Sequence, residues 1–151
     1  MNDEDIEIKR LWSIDTLMVW RAEVIRSVFD VEPSDTLLEQ NRDYYKAHVP
    51  SGRHMAFVAT MGDVDAGCGG VCFTDELPSP DNPTGLCAYL MNIYVRPEYR
   101  NRGVAHAIVK RLVEEARQRN CDKIYLEATD QGKAIYRSLG FKDMPDMMKL
   151  L

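Results

Sequence analysis

The stretch Leu90 to Ala116, LMNIYVRPEYRNRGVAHAIVKRLVEEA, decides the fold because it runs strand, turn, glycine loop and helix without a break. Leu90 to Val95 is apolar, aromatic and β-branched except at Asn92, which predicts a strand buried on both faces. Pro97 has no N–H for a ladder and biases Arg96 towards extended geometry, so the strand turns there. Beyond the turn, Val104, Ala105, Ile108, Val109, Leu112, Val113 and Ala116 recur at helical spacing, with Lys110, Arg111, Glu114, Glu115 and Arg117 on the other side. The junction is Arg100-Asn101-Arg102-Gly103-Val104-Ala105. A helix start presents N–H groups without intrahelical partners and the positive end of the macrodipole. Gly103 lets a ligand approach the backbone, and the two arginines bring forked donors. Such a loop suits a pyrophosphate. It is neither a GxGxxG dinucleotide fingerprint nor a Walker loop, since GxxxxGK[ST] is absent from the chain.

Working outward, Glu7 to Leu11 alternates charged and apolar residues from Ile6 onwards and predicts a first strand. Ser13 opens a helix whose face is Ile14, Leu17, Met18, Ile25, Val28 and Phe29, ending before Pro33. Ser34 or Asp35 opens a second with Leu37, Leu38, Tyr44 and Tyr45, stopped by Pro50-Ser51-Gly52. Met55 to Thr60 and Ala66 to Phe73 flank a tight turn over Met61 to Asp65 and read as a hairpin, with Gly67, Gly69 and Gly70 marking a bulge in its second strand. Glu76 to Gly85 holds three prolines and is a loop. Downstream, Ile124 to Ala128 is a short strand, and Thr129 or Asp130 caps a helix from Gln131 to Leu139 that Gly140 stops. Met147 to Leu151 closes the sheet as a last strand. This order predicts an α/β (α+β) sandwich with a mixed sheet, in a single domain over residues 1–151.

At 151 residues, 45% apolar and 28% charged, the chain is long enough for one real core. Its 19 basic and 24 acidic residues give a net charge of −5, which argues against a general nucleic-acid binder. The acidic start Met1 to Asp5 lacks the features of a signal peptide, and no apolar run reaches membrane-span length. A cytoplasmic protein with no membrane partner is the expectation. Cys68, Cys72, Cys87 and Cys121 show no CxxC pairing, and His48, His54 and His106 are scattered, so free thiols and no metal are expected.

The run Arg100-x-x-Gly103-x-Ala105, preceded by Tyr94-Val95-x-Pro97-x-Tyr99, resembles the acetyl-CoA-binding motif of the GNAT superfamily of N-acyltransferases. A second run, Ala134-Ile135-Tyr136-Arg137-Ser138-Leu139-Gly140-Phe141, is similar to the family's A-x-x-x-Y-x-x-x-G-F helix and turn, with a shorter gap from Ala to Tyr. The two span Leu86 to Phe141. The resemblance implies a mixed, mostly antiparallel central sheet, splayed at its middle and flanked by helices on both faces. It also implies acetyl-CoA as co-substrate and a small-molecule or peptide amine as acceptor. Direct transfer is expected, because no cysteine, serine or histidine cluster suggests a covalent relay.

By the same resemblance, the cofactor contacts are Arg100, Asn101, Arg102, Gly103, Val104 and Ala105, the backbones of Ile93, Tyr94 and Val95, and Thr129 where relatives often carry asparagine. Tyr136 aligns with the tyrosine that protonates the leaving thiolate, and a phenol of pKa near 10 is a suitable donor. The chain departs from the pattern where many relatives carry a carboxylate on the central strand, having Met91 and Asn92 instead. Glu127 on the following strand becomes the candidate base, with Glu23 and Asp130 behind it. That departure also motivates an alternative, a non-catalytic acyl-CoA-binding sensor or regulatory module of the same fold. Substrate recognition falls to the first two helices and the hairpin, where Trp12, Trp20, Arg21, Glu23, Phe29, Tyr44 and Tyr45 are available. Net acidity mildly favours an amine or polyamine-like acceptor over an acidic one. A homodimer is common in the family, and Met147 to Leu151 could pair across one.

Overall fold

The computed structural model describes residues 5–151, so the acidic start Met1 to Glu4 lies outside the described residues. In chain order the elements are β1 (Ile6–Leu11), α1 (Ile14–Val28), α2 (Asp35–His48), β2 (His54–Met61), β3 (Val64–Asp75), β4 (Leu86–Val95), α3 (Val104–Gln118), β5 (Lys123–Leu126) and α4 (Lys133–Ser138), with a 3₁₀ turn at Pro97–Tyr99. The strands form one sheet in the order β1-β2-β3-β4-β5. The first four run antiparallel, and β5 runs parallel to β4.

Local chemistry sets the first helices. Ser13 Oγ accepts the Thr16 N–H at 3.2 Å and Ser34 Oγ accepts the Leu37 N–H at 3.1 Å, so each helix begins on a serine cap. Asp15 and Asp35 add negative charge to the first turns. Helix α3 covers one face of the sheet, with Val104, Ile108, Val109 and Leu112 packed against Phe57, Val71, Ala88 and Leu90. The other face carries α1 and α2, with Leu17, Met18, Tyr45 and Val49 over Ala56, and Trp20 and Val24 over Val58, Cys68 and Tyr94.

Several expectations change. β4 is not buried on both faces throughout, since Met91, Asn92 and Ile93 are half-buried. The reason is pairing: β5 reaches β4 only along Cys87 to Leu90, so beyond Leu90 the strand has one free edge. β3 carries an extra residue at Ala66, beside Gly67, in its ladder with β2, and in the β3–β4 ladder the extra residue sits in β4. Cys68 pairs with Tyr94 and Gly70 with Met91, which leaves Asn92 and Ile93 opposite Gly69. Asn92 takes φ 56° to make that step. Gly69 serves the helix instead, because a Cβ there would lie 2.5 Å from Cγ2 of Ile108.

β5 ends at Leu126, which leaves Glu127 and Ala128 beyond the strand. α4 starts at Lys133 rather than Gln131, because Thr129 Oγ1 accepts the Gly132 N–H at 3.3 Å in a turn that delays the helix. Neither Thr129 nor Asp130 is its cap; Gly132 is. Met147 to Leu151 forms no strand, and Met148, Leu150 and Leu151 are fully exposed. Five residues beside a four-residue strand make too few ladder bonds to offset the cost of ordering them.

Candidate active site

The start of α3 is built differently from the other long helices. Its N-cap is Gly103 at φ 86°, no side chain caps it, and no acidic residue lies in its first turn. The nearest atom to a Cβ added at Gly103 is Ile6 Cδ1 at 3.9 Å, so backbone conformation rather than space selects glycine. The first helical bond runs from the Ala107 N–H to Gly103 O at 3.0 Å. The N–H groups of Val104, Ala105 and His106 therefore have no partner among the described residues.

Asn101, Arg102 and Gly103 are exposed, Ala105 is half-buried and Val104 is buried, so Val104 presents only its backbone. The two arginines part company. Arg100 Nε donates to Val95 O at 2.9 Å with its guanidinium 5.8 Å from the Tyr94 ring, which pins the loop to the end of β4. Arg102 has no ion-pair partner among the described residues.

The open edge of β4 leads into this loop. Ile93 packs into the core beneath α3, Tyr94 is buried on the other face with its hydroxyl 3.2 Å from Ser27 Oγ, and Val95 is buried. Tyr94 and Val95 are left with their backbones as the groups that can meet a ligand, while Ile93 is half-buried.

Tyr136 on α4 is half-buried and sits edge-to-face with Phe141, ring centroids 6.0 Å apart. Burial pushes its phenol above the ordinary tyrosine range, and its hydroxyl has no hydrogen-bond partner among the described residues. Glu127 is exposed, and its Oε1 accepts the Tyr89 hydroxyl at 2.6 Å. Burial, then that bond, pushes the Tyr89 phenol up. Tyr89, Glu127 and Tyr136 border one cleft of ≈ 760 Å³, lined also by β5, by Val113 and Arg117 of α3, and by Phe141, Met144 and Met147. The cleft brings the two candidate proton-transfer residues together, and none of the α3 loop residues lines it. Thr129 is exposed, its hydroxyl oxygen engaged with Gly132.

The secondary base candidates are committed elsewhere. Glu23 holds Arg96 in a bidentate pair, both contacts 2.9 Å, and that hydrogen bonding keeps its carboxyl below the usual range. It ties α1 to the end of β4. Asp130 is exposed beside Lys133 at 3.4 Å. His54 is buried, with Nδ1 2.9 Å from the Tyr44 hydroxyl, and burial lowers its pKa to about 4. All four cysteines are free, and no three metal-ligating side chains gather among the described residues. Tyr89 escaped the sequence reading, because a tyrosine in an apolar strand looks like core until its neighbour across the sheet is known.

A model of the acetyltransferase (GNAT) family matches residues 16–141 of this chain. The thialysine N-epsilon-acetyltransferase of Sus scrofa is 31% identical over 97 residues, a match covering 50% of this chain and 57% of that protein. The chain thus spans little more than half the length of that curated relative. Among solved structures, a predicted acetyltransferase from Clostridium acetobutylicum with acetyl-CoA superposes with a TM-score of 0.86 at 24% identity, over 97% of this chain and 96% of that one. A GCN5-related N-acetyltransferase from Ralstonia eutropha gives 0.80 at 24% identity, over 97% and 98%. At these identities the likeness is one of fold, and the fold is the mixed, splayed sheet expected from the two motifs.

Proposed function

The chain belongs to the acetyltransferase (GNAT) family, and from that premise we propose that it transfers an acetyl group from acetyl-CoA directly to a primary amine. The observation that carries the reading is that two stretches of backbone meet: among the described residues no strand pairs with β4 on its β5 side beyond Leu90, and β4 runs on into a helix start whose first N–H groups no side chain caps. A pantetheine arm with its amides fits the former, and a pyrophosphate fits the latter. Gly103 leaves the approach clear of a side chain.

When bound, acetyl-CoA supplies an acetyl group activated as a thioester. Around it the chain has four tasks. The Arg102 guanidinium and the N–H groups at the start of α3 hold the phosphates. A backbone N–H on the open edge of β4 donates to the carbonyl oxygen as negative charge grows there. Glu127, oriented by the Tyr89 hydroxyl, accepts the proton that the amine loses on forming its bond to carbon. Tyr136 gives its proton to the sulfur as the carbon–sulfur bond breaks, and its raised pKa keeps it protonated for that purpose at neutral pH. The proton left on Glu127 returns through solvent to Tyr136, and the cycle closes.

Calorimetric titration with acetyl-CoA tests the reading, with Gly103→Glu as the control. Micromolar binding is expected, lost in a variant that remains folded by circular dichroism. Absence of binding to folded wild-type protein would remove the cofactor assignment.

A further inference from the structure

Arg21 reaches from α1 across the face of the sheet opposite α3. Its Nε donates to Asn41 Oδ1 of α2 at 2.9 Å, and its Nη1 donates to Asn92 Oδ1 in the β4 bulge at 2.8 Å. Both acceptors are neutral carboxamides. Among the described residues no carboxylate forms an ion pair with it. Two other half-buried arginines are ion-paired, Arg96 with Glu23 and Arg111 with Glu115, while the half-buried Arg10 has no ion pair among the described residues. A guanidinium that has lost part of its hydration and faces only amides keeps a charge that a bound anion would satisfy.

The position is as telling as the pairing. Asn92 belongs to the stretch of β4 whose far edge is open, so the two asparagines fix the Arg21 charge beside the segment where the acyl group is read to lie. The field of Arg21 draws the phenol of Tyr45 and the thiol of Cys68 down against the burial that raises both. Phe29, 61% exposed at the end of α1, holds its ring 5.9 Å from the guanidinium and gives the site an apolar wall. Of the five guanidinium N–H groups, two are used, which leaves two on Nη2 and one on Nη1 for a ligand.

We propose that Arg21 is a specificity-determining residue that grips an oxyanion on the acceptor, so that the preferred substrate is an amine also carrying a carboxylate or phosphate. The inference rests on the acetyl-transfer reading and narrows it. It runs against the polyamine-like acceptor that net charge favours, because steering by net charge is screened within about 10 Å in ordinary buffer whereas Arg21 acts at contact. A tie between helix and strand needs no charge, and the neutral partners of Arg21 leave that charge unused inside the protein.

The test uses matched acceptors on the full chain: an ω-amino acid with its primary amide, and a phosphorylated amino alcohol with its parent. Wild-type kcat/KM should favour an anionic member by roughly 10- to 100-fold, and the favoured pair identifies the oxyanion. Arg21→Gln should lower kcat/KM for the anionic member more than for the neutral one, so that the ratio between them falls towards one in a variant that remains folded by circular dichroism. Arg21→Lys should restore part of it. Equal turnover of both members by the wild type, or an equal loss on both in Arg21→Gln, overturns the inference alone. No turnover of any member overturns the acetyl-transfer reading and this inference with it.

Discussion

Tyr136 is half-buried and His54 buried, and burial pushes each towards its neutral form with opposite consequences. In the proposed transfer the neutral form of Tyr136 is the proton donor, which burial favours. Tyr136→Phe should lower kcat by about 100-fold or more while acetyl-CoA affinity stays unchanged. An unaffected kcat would take the acid role from it. Because its pKa is raised, kcat should show no alkaline fall from loss of this acid below about pH 10. For His54 the neutral form is the only one its surroundings tolerate. Its folded pKa of about 4 lies below the ordinary histidine value near 6.5, so the unfolded chain binds the extra proton first as pH falls. The neutral contribution is fully present above about pH 6.5 and is lost as pH falls towards 4. Linkage puts the loss at about 2 kcal/mol by pH 5. Urea unfolding at pH 7.5 and pH 5 should show that difference in the wild type and a smaller one in His54→Gln; identical slopes would exclude His54 as the cause.

At the scale of elements, the fit between β3 and α3 is set by a missing side chain. A Cβ at Gly69 would meet Ile108 Cγ2 at 2.5 Å and Leu112 Cδ1 at 3.3 Å, both deep in the core. Gly69→Ala should therefore cost about 1–3 kcal/mol and shift α3 along with the N–H groups at its start. Acetyl-CoA affinity should fall with stability, and an unchanged denaturation midpoint would show that the helix yields freely. The same elements show what was legible in the sequence. Helices α1, α2 and α3, the hairpin and the glycine loop before α3 could be read, because serine caps, helical spacing and Gly103 act through neighbours in sequence. The free edge of β4 could not, because it depends on β5 stopping at Leu126, and nothing in Ile124 to Ala128 announces that stop. The pairing of Tyr89 with Glu127 and of Arg21 with Asn92 lies across the sheet, 38 and 71 residues apart in sequence. Residue type suggested Arg21 and Glu127 as candidates, and only the register of the strands gave them partners.

The whole molecule carries a net charge of −5 and is read to bind a polyanionic co-substrate, so its field and its site oppose each other. Binding of such a ligand depends on local cations that outweigh a distant surplus of carboxylates. Arg96 and Arg100 are drawn into the fold by Glu23 and the Val95 carbonyl, which leaves Arg102 as the exposed loop arginine without an ion-pair partner among the described residues. Attraction at the loop acts over a few ångströms and repulsion from the rest of the surface acts over tens, so added salt screens the repulsion first and the attraction later. Acetyl-CoA affinity should accordingly change little between about 20 and 100 mM salt and then weaken by roughly 3- to 10-fold towards 500 mM. In Arg102→Ala the high-salt weakening should shrink to less than about 2-fold, with lower affinity at every concentration. Calorimetry across a salt series measures both, and the same high-salt slope in variant and wild type would move the phosphate contact away from Arg102 to the backbone N–H groups of α3 alone.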